Sequence, residues 1–272
     1  MPYETLNEIE WENVQRIWDL LDQGEVERAR IETDALLRKR PGHPDVRIVD
    51  AAVSLDEAEP GHALEALQGA ETSADPALFF HLRAAAQYDL ARFEPAREDG
   101  ERAIAVRPEM ADTHDLLSRT FEYLGDAERT AEHAEEAERL DPAAYPHPLD
   151  VGTVEFDTVV EESLAEMHPD IRRHLEEFPV LVDTLPRREI LTAEEPPLSP
   201  DLLGLFVGRH LMERSVTDLP GAPGAIYLFR RNLLRWCRDR EELKREIRIT
   251  VQHEIGHLLG LDEKDLEDRG LA

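Results

Sequence analysis

Cysteine is almost absent from this sequence, which has only one, Cys237, among 272 residues. A single cysteine cannot form a disulfide within the chain, so we expect a reducing compartment such as the cytoplasm. The sequence also lacks an apolar run long enough to cross a membrane. Residues 1–12 show neither the basic nor the apolar segment of a signal peptide. We therefore expect a cytoplasmic protein without a membrane-spanning segment.

Positive charge is scarce as well. The chain has 31 lysine and arginine residues against 60 aspartate and glutamate residues, which gives a formal net charge of −29. The phosphate groups of nucleic acids and of anionic lipids would be repelled by such a surface. We therefore expect neither a nucleic-acid partner nor a membrane partner.

Residues 1–142 contain an internal repeat of paired helices. Pro41, Pro76, Pro108 and Pro142 lie 35, 32 and 34 residues apart, each after a predicted helical stretch. The sequence between them is typical of helix, short break, helix, with breaks predicted at Gly24, 60–61, 93–94 and Gly125. A period near 34 with paired helices resembles the tetratricopeptide repeat, which implies an all-α solenoid with a concave groove. This domain could hold a protein partner in its groove, or it could be a scaffold that binds nothing specific.

The second part of the chain predicts a small domain that mixes helices with short strands. A proline-rich linker is expected at 143–153, followed by a domain at 154–272. Its predicted elements are a helix at 155–167, strands at 180–182, 203–207 and 225–229, a short helix at 232–237 and a final helix from 241. The fold class predicted for the whole chain is therefore α+β, with an all-α solenoid first.

The last of these helices carries the sequence H-E-x-x-H. Its apolar residues predict a stripe opposite the histidines, formed by Leu243, Ile247, Val251, Ile255, Leu258 and Leu259. Residues four apart lie on one face of a helix, so His253 and His257 can both present a nitrogen to one metal ion. Two imidazoles and a carboxylate suit Zn²⁺, with a fourth position open to water. Glu254 is then the predicted catalytic residue, a general base that takes a proton from that water. The alternative is an exposed helix face with two ordinary histidines.

A third ligand is expected shortly after this helix. Gly260 lies where a helix commonly ends in a left-handed cap, and a reversal there would bring the next acidic residues back beneath the metal. Glu263 is the predicted ligand and Asp262 the alternative.

Residues from about 154 onwards resemble the minimal zincin-like metallopeptidase family. The resemblance rests mainly on AIYLFRR at 225–231, NLLRWCRDR at 232–240, TVQHEIGHLLGL at 250–261 and DEKDLEDRG at 262–270. Glu263 occupies the eleventh position counted from His253, where the family often has Asp. The resemblance implies a zinc site, a zincin-type fold and, less directly, proteolysis. By analogy with zincins, the strand at 225–229 is expected to pair with an extended peptide.

Together these features predict a zinc-dependent peptidase that acts on a peptide or protein substrate, with a repeat domain for protein interaction. The alternative is a non-catalytic interaction or scaffold protein whose zinc site is structural or regulatory.

Overall fold

The computed structural model describes residues 5–71, 74–208 and 224–259. The chain divides into two compact units, an N-terminal unit, Met1–Pro146, and a C-terminal unit, His147–Ala272. Within the described residues no helix is both long and apolar enough to span a membrane.

The N-terminal unit is a stack of helical hairpins. Its described helices are α1 Glu8–Asp22, α2 Val26–Lys39, α3 Pro44–Asp56, α4 Pro60–Leu67, α5 Pro76–Asp89, α6 Phe93–Val106, α7 Ala111–Leu124 and α8 Ala127–Leu140. Each helix packs against the next, and α1, α3, α5 and α7 also pack against one another in that order. Short turns make the successive pairs antiparallel, so the predicted helical-repeat architecture is confirmed.

The hairpin turns differ in detail from those expected. Gly24 (φ 71°) and Gly125 (φ 76°) adopt left-handed backbone in the turns after α1 and α7, where breaks were predicted. The break before α6 falls at 90–92, one turn earlier than predicted, because Phe93 already begins the helix. Pro76 is the first residue of α5, capped by Asp75, and so it begins a helix instead of following one.

Two histidines of this unit pack between α7 and α8. The Nδ1 atoms of His114 and His133 are 3.0 Å apart, and Nε2 of His114 lies 3.0 Å from the carbonyl oxygen of Pro108. His133 also stacks on Phe121 with ring centroids 5.4 Å apart. Burial, followed by the charge effects of His114 and Arg129, lowers the pKa of His133 to about 4. These histidines therefore pack between the two helices of the hairpin.

The C-terminal unit combines helices with a small sheet, which confirms the predicted α+β class. Its described elements are α9 Thr153–Ala165, α10 Pro169–Glu177, β1 Val180–Asp183, α11 Arg188–Leu191, β2 Gly204–Val207, β3 Ala225–Phe229, α12 Arg230–Trp236 and α13 Arg240–Leu258. Only α10 and α11 were not predicted.

The sheet has the order β1-β3-β2. β1 is parallel to β3, with Leu181 opposite Tyr227, and β2 is antiparallel to β3, with Leu205 opposite the same Tyr227. The expectation that the strand at 225–229 binds a peptide is therefore wrong, because β3 is paired on both sides and has no edge to offer. Among the described strands, β1 and β2 form the two edges.

The core of this unit lies between the sheet, α9 and α13. Its fully buried members include Phe156 of α9, Ile226 and Leu228 of β3, and Val251 of α13. Cys237 belongs to the same core and is 3% exposed. Burial, together with the nearby carboxylates, raises the pKa of its thiol to about 12, so this cysteine packs as an apolar residue.

The segment between α8 and α9 is partly bound into the C-terminal unit. The Leu149 N–H donates to the Leu234 carbonyl oxygen (2.9 Å), and Leu149 and Val151 pack against the core. On the other side of the division, the Tyr145 hydroxyl donates to Asp112 (2.7 Å). The residues of the predicted linker therefore attach to one unit or the other. The independence of the two units remains a prediction.

Candidate metal centre

Helix α13 begins at a capped N-terminus. Asp239 is its N-cap, and its carboxylate accepts a hydrogen bond from the Glu242 N–H (2.8 Å). Glu242 in turn accepts one from the Arg238 N–H (2.8 Å). With Glu241 it also places negative charge in the first turn, where the helix dipole favours it. These residues fix the start of the helix one position before the predicted one.

An apolar stripe holds α13 against the core. Leu243, Ile247, Val251 and Ile255 follow a four-residue spacing and are at most 1% exposed. Leu258 and Leu259 were predicted to continue the stripe, but Leu258 is half-buried and Leu259 is exposed. The buried face therefore extends from the first turn to the level of the candidate ligands.

A second face of α13 carries basic residues that pair with α9. Lys244 Nζ lies 2.7 Å from Glu162, and Arg240 lies 3.2 Å from the same carboxylate. One turn further on, Arg248 lies 2.9 Å from Glu166. Successive turns of α13 are thus paired with the acidic face of α9. This arrangement limits the rotation of α13 about its own axis.

The two motif histidines converge, as their spacing predicts. The Nε2 atoms of His253 and His257 are 2.9 Å apart, and their rings meet edge to face with centroids 4.5 Å apart. His253 is half-buried and His257 is exposed. Two zinc–nitrogen bonds of about 2.0–2.1 Å in a tetrahedral arrangement hold their nitrogens about 3.3 Å apart. The observed pair is close to that separation, so these residues fit a shared Zn²⁺.

Glu254 lies beside this pair on the side that faces the sheet. It is only 9% exposed, and its Oε2 accepts a hydrogen bond from the backbone N–H of Phe206 in β2 (2.7 Å). A buried carboxylate requires such a donor because its charge has lost most of its contact with water. Hence the side chain predicted to be the base is held by a strand 48 residues away in sequence.

Strand β2 lies close against α13. A Cβ built at Gly204 would come within 2.4 Å of the Thr250 Cγ2 and 2.9 Å of the Tyr227 carbonyl oxygen. No larger residue fits there without displacing the strand or the helix. Gly204 therefore permits the short distance that lets the Phe206 N–H reach Glu254.

The loop before β2 is held by one buried amide. Asn232 of α12 is 4% exposed, and its side-chain NH₂ donates to the carbonyl oxygens of Pro200 (2.9 Å) and Leu202 (2.8 Å). These bonds provide donors to two backbone carbonyl groups of the loop that leads into β2. They also fix the position at which β2 begins.

The predicted third ligand lies outside the described residues, as does the alternative, Asp262. The same is true of Gly260, the predicted helix cap, and of Glu263 itself. Within residues 5–71, 74–208 and 224–259, no group of three His, Cys, Asp or Glu side chains is arranged to hold a metal ion. The described part of the centre therefore consists of two histidines and the adjacent glutamate.

Sequence reasoning missed the residues that support the centre: Gly204, Phe206, Asn232 and Thr250. Gly204 did carry a signal, since an isolated glycine in a strand often marks a close approach of another element. Nothing in the local sequence distinguishes Asn232 or Phe206, because their roles depend on contacts with distant segments.

Comparison with protein families gives a match over part of the C-terminal unit. Residues 175–271 match the family described as zincin-like metallopeptidase. The match includes β1 to β3, α12 and α13, and so it covers every described residue of the candidate centre. It supports the resemblance noted from the sequence for this part of the chain.

Comparison with individual proteins adds little. No curated protein matches the chain. One solved structure, titled "MamA RS-1 ArsTM double mutant", is 23% identical, and its alignment covers 50% of this chain and 78% of that one with a TM-score of 0.41. A likeness this distant carries no argument about the fold or function of the present chain.

Proposed function

We propose that the C-terminal unit is a zinc-dependent peptidase. The observation that carries the proposal is the joint geometry of three neighbouring residues. The His253 and His257 nitrogens converge to 2.9 Å, and the Glu254 carboxylate lies beside them, buried and hydrogen-bonded. The zincin-like metallopeptidase match over residues 175–271 supports the same reaction class.

Each residue has a distinct role in this proposal. His253 and His257 hold Zn²⁺ through Nε2, and Glu263, or Asp262 as the alternative, completes the site. Zinc, when bound, makes a water molecule acidic enough to ionise near neutral pH and polarises a carbonyl group. Glu254 accepts the proton of the attacking water and later returns it to the leaving amine.

The metal assignment is tested by elemental analysis of the full chain purified without chelator. We expect about one zinc ion per chain, lost in His253→Ala and in His257→Ala because two remaining ligands hold zinc poorly. His168→Ala, which removes an exposed histidine outside the motif, is the matched control. A wild-type protein that neither contains zinc nor binds added zinc refutes the assignment.

The third ligand is tested by comparing two neighbouring substitutions. Glu263→Ala should weaken zinc binding far more than Asp262→Ala does, as measured by competition with a chromogenic chelator. The opposite order assigns the ligand to Asp262.

The reaction is tested with a peptide library and Glu254→Gln. The amide keeps the size of the side chain but cannot take up the proton. We therefore expect Glu254→Gln to retain zinc and to lose at least about a thousandfold in turnover. Cleavage that survives this substitution arises elsewhere. Stoichiometric zinc without cleavage of any library peptide would favour the non-catalytic alternative.

We also propose that the helical repeats recruit a protein substrate or partner to the peptidase. A chain that starts at His147 retains Leu149 and Val151, which pack into the C-terminal core, and should therefore keep its zinc. Recruitment predicts that this shorter chain cleaves a short peptide as the full chain does but cleaves the preferred protein more slowly. An equal loss on both substrates, with zinc retained, contradicts recruitment.

A further inference from the structure

The main chain of β2 contributes a donor that the peptidase proposal does not use. The Phe206 N–H donates to Glu254 Oε2 at 2.7 Å, and this is a contact between an edge strand and the motif helix. The proposed role of Glu254 requires a defined orientation of its carboxylate, so the origin of that orientation matters.

The register of the sheet explains why this N–H is available. The ladder continues one position beyond the Gly204–Leu228 pair, because the Phe229 N–H donates to the Leu203 carbonyl oxygen (2.9 Å). In an antiparallel pair, hydrogen-bonded and non-hydrogen-bonded positions alternate. Leu205 is then a bonded position, whereas Phe206, opposite Ile226, directs its N–H away from β3. The bond to Glu254 therefore removes nothing from the ladder that holds β2 in the sheet.

The bond restrains the glutamate side chain. Glutamate is flexible, and its immobilisation costs rotamer entropy. A charge-assisted hydrogen bond to a buried carboxylate is among the stronger hydrogen bonds in proteins and offsets that cost. It uses one acceptor position on Oε2, and a carboxylate has about four in total.

We propose that the backbone N–H of Phe206 is a positioning group for Glu254, so that the edge strand β2 orients the base of the proposed reaction through its main chain. The inference rests on the proposed function for the role of Glu254, but the bond can be tested without any activity. Gly204 and Asn232 take part indirectly, since they fix where β2 lies against α13.

Amide hydrogen exchange tests the bond in zinc-free protein. If Glu254 protects the Phe206 amide, Glu254→Ala should accelerate exchange at Phe206 at least about tenfold. The Leu205 and Val207 amides, which face β3, are internal controls and should change less than about twofold. An unchanged rate at Phe206, or equal acceleration at all three positions, overturns the inference whether or not the protein is a peptidase.

The positioning role is tested in the zinc-loaded full chain by removing this N–H. Phe206→Pro removes it together with the ring and is compatible with an edge strand, while Phe206→Ala removes the ring but keeps the N–H and is the matched control. We expect Phe206→Pro to lower kcat at least about tenfold at unchanged zinc content and similar KM, and Phe206→Ala to stay within about threefold. Because proline could unfold the strand, an ester variant is the second test. There the α-hydroxy analogue of phenylalanine replaces Phe206, and the same loss of kcat is expected.

The outcomes separate the two proposals. Protection of the Phe206 amide combined with full activity of the ester variant overturns the positioning role and leaves the peptidase intact. Protection without any peptidase activity overturns the positioning role together with the proposed function, although the bond itself stands. Loss of activity in Phe206→Ala equal to that in the ester variant assigns the effect to the ring and also overturns the inference.

Discussion

Gly204→Ala should loosen the contact between β2 and α13. The structure gives the approximate energetic cost of this substitution. The added Cβ would lie 2.4 Å from Thr250 Cγ2 and 2.9 Å from the Tyr227 carbonyl oxygen. Non-bonded carbon atoms prefer separations of about 3.5–4.0 Å, so the gap must open by about 1 Å. Neither neighbour can turn away, since one is a buried β-branched side chain and the other is backbone.

Overpacking of this kind costs about 1–3 kcal/mol, and the lower entropy of the unfolded alanine chain returns about 0.4–1 kcal/mol. We therefore expect a net loss of about 1.3 kcal/mol in the opening free energy of β2 and α13, which is about a tenfold change in an equilibrium constant. Amide exchange followed by mass spectrometry on the full chain measures it, because peptides from these elements report their own opening.

Two further variants make this prediction specific. Gly61→Ala is the matched control, since a Cβ at Gly61 meets nothing within 4 Å and alanine is compatible with the first turn of α4. It should leave exchange in β2 unchanged. Thr250→Ser removes Cγ2, one of the two groups that the added Cβ would meet. The double variant with Gly204→Ala should therefore recover about half of the lost opening free energy, because the contact with the Tyr227 carbonyl oxygen remains. Unchanged exchange in Gly204→Ala, or no recovery in the double variant, would refute the close-approach explanation.

Three other predictions concern buried polar groups. The pKa of His133 is about 4 in the folded state and about 6.5 in the unfolded chain, so the unfolded chain takes up a proton first as the pH falls. The free energy of unfolding should therefore decrease as the pH is lowered from about 6.5 to about 4, by up to about 3 kcal/mol. His133→Gln should reduce this pH dependence in urea unfolding, whereas the exposed control His62→Gln should not. Asn232→Ala removes the amide donor from the Pro200 and Leu202 carbonyl oxygens and should destabilise β2 by about 2–4 kcal/mol by amide exchange, whereas no change would contradict its role. Cys237, with a pKa near 12, should react with iodoacetamide at pH 8 at least about a thousandfold more slowly than a free thiol, and a fast reaction would contradict its burial.

Local signals in the sequence were sufficient for most of the elements. The motif helix was predictable because its apolar residues recur every four positions and Glu241 and Glu242 lie in its first turn. The repeats were predictable because the same helical hairpin recurs with a period near 34 residues. In both cases the information lies within a window of a few tens of residues.

The order of the strands was not predictable in the same way. Each strand was found from its own apolar run, but a run of five residues at 225–229 does not reveal which neighbours it will have. Chain order placed this strand last before the motif, and analogy then assigned it the peptide-binding edge. The register shows it between β1 and β2, since both pair with Tyr227. The contacts of Phe206 and Asn232 depend on the same non-local arrangement.

The contrast between local signals and non-local contacts helps to decide whether the H-E-x-x-H motif is a coincidence. Two histidines four residues apart converge on any helix, so the 2.9 Å between His253 and His257 would be found even on an ordinary surface helix. The burial of Glu254 is different, because it requires a sheet edge against the helix, a glycine at 204 to permit the approach and a backbone donor that β3 does not use. A chance occurrence of the motif on an exposed helix face has no reason to satisfy these three conditions together. The surroundings of Glu254, more than the histidine pair, therefore favour a peptidase over two ordinary histidines.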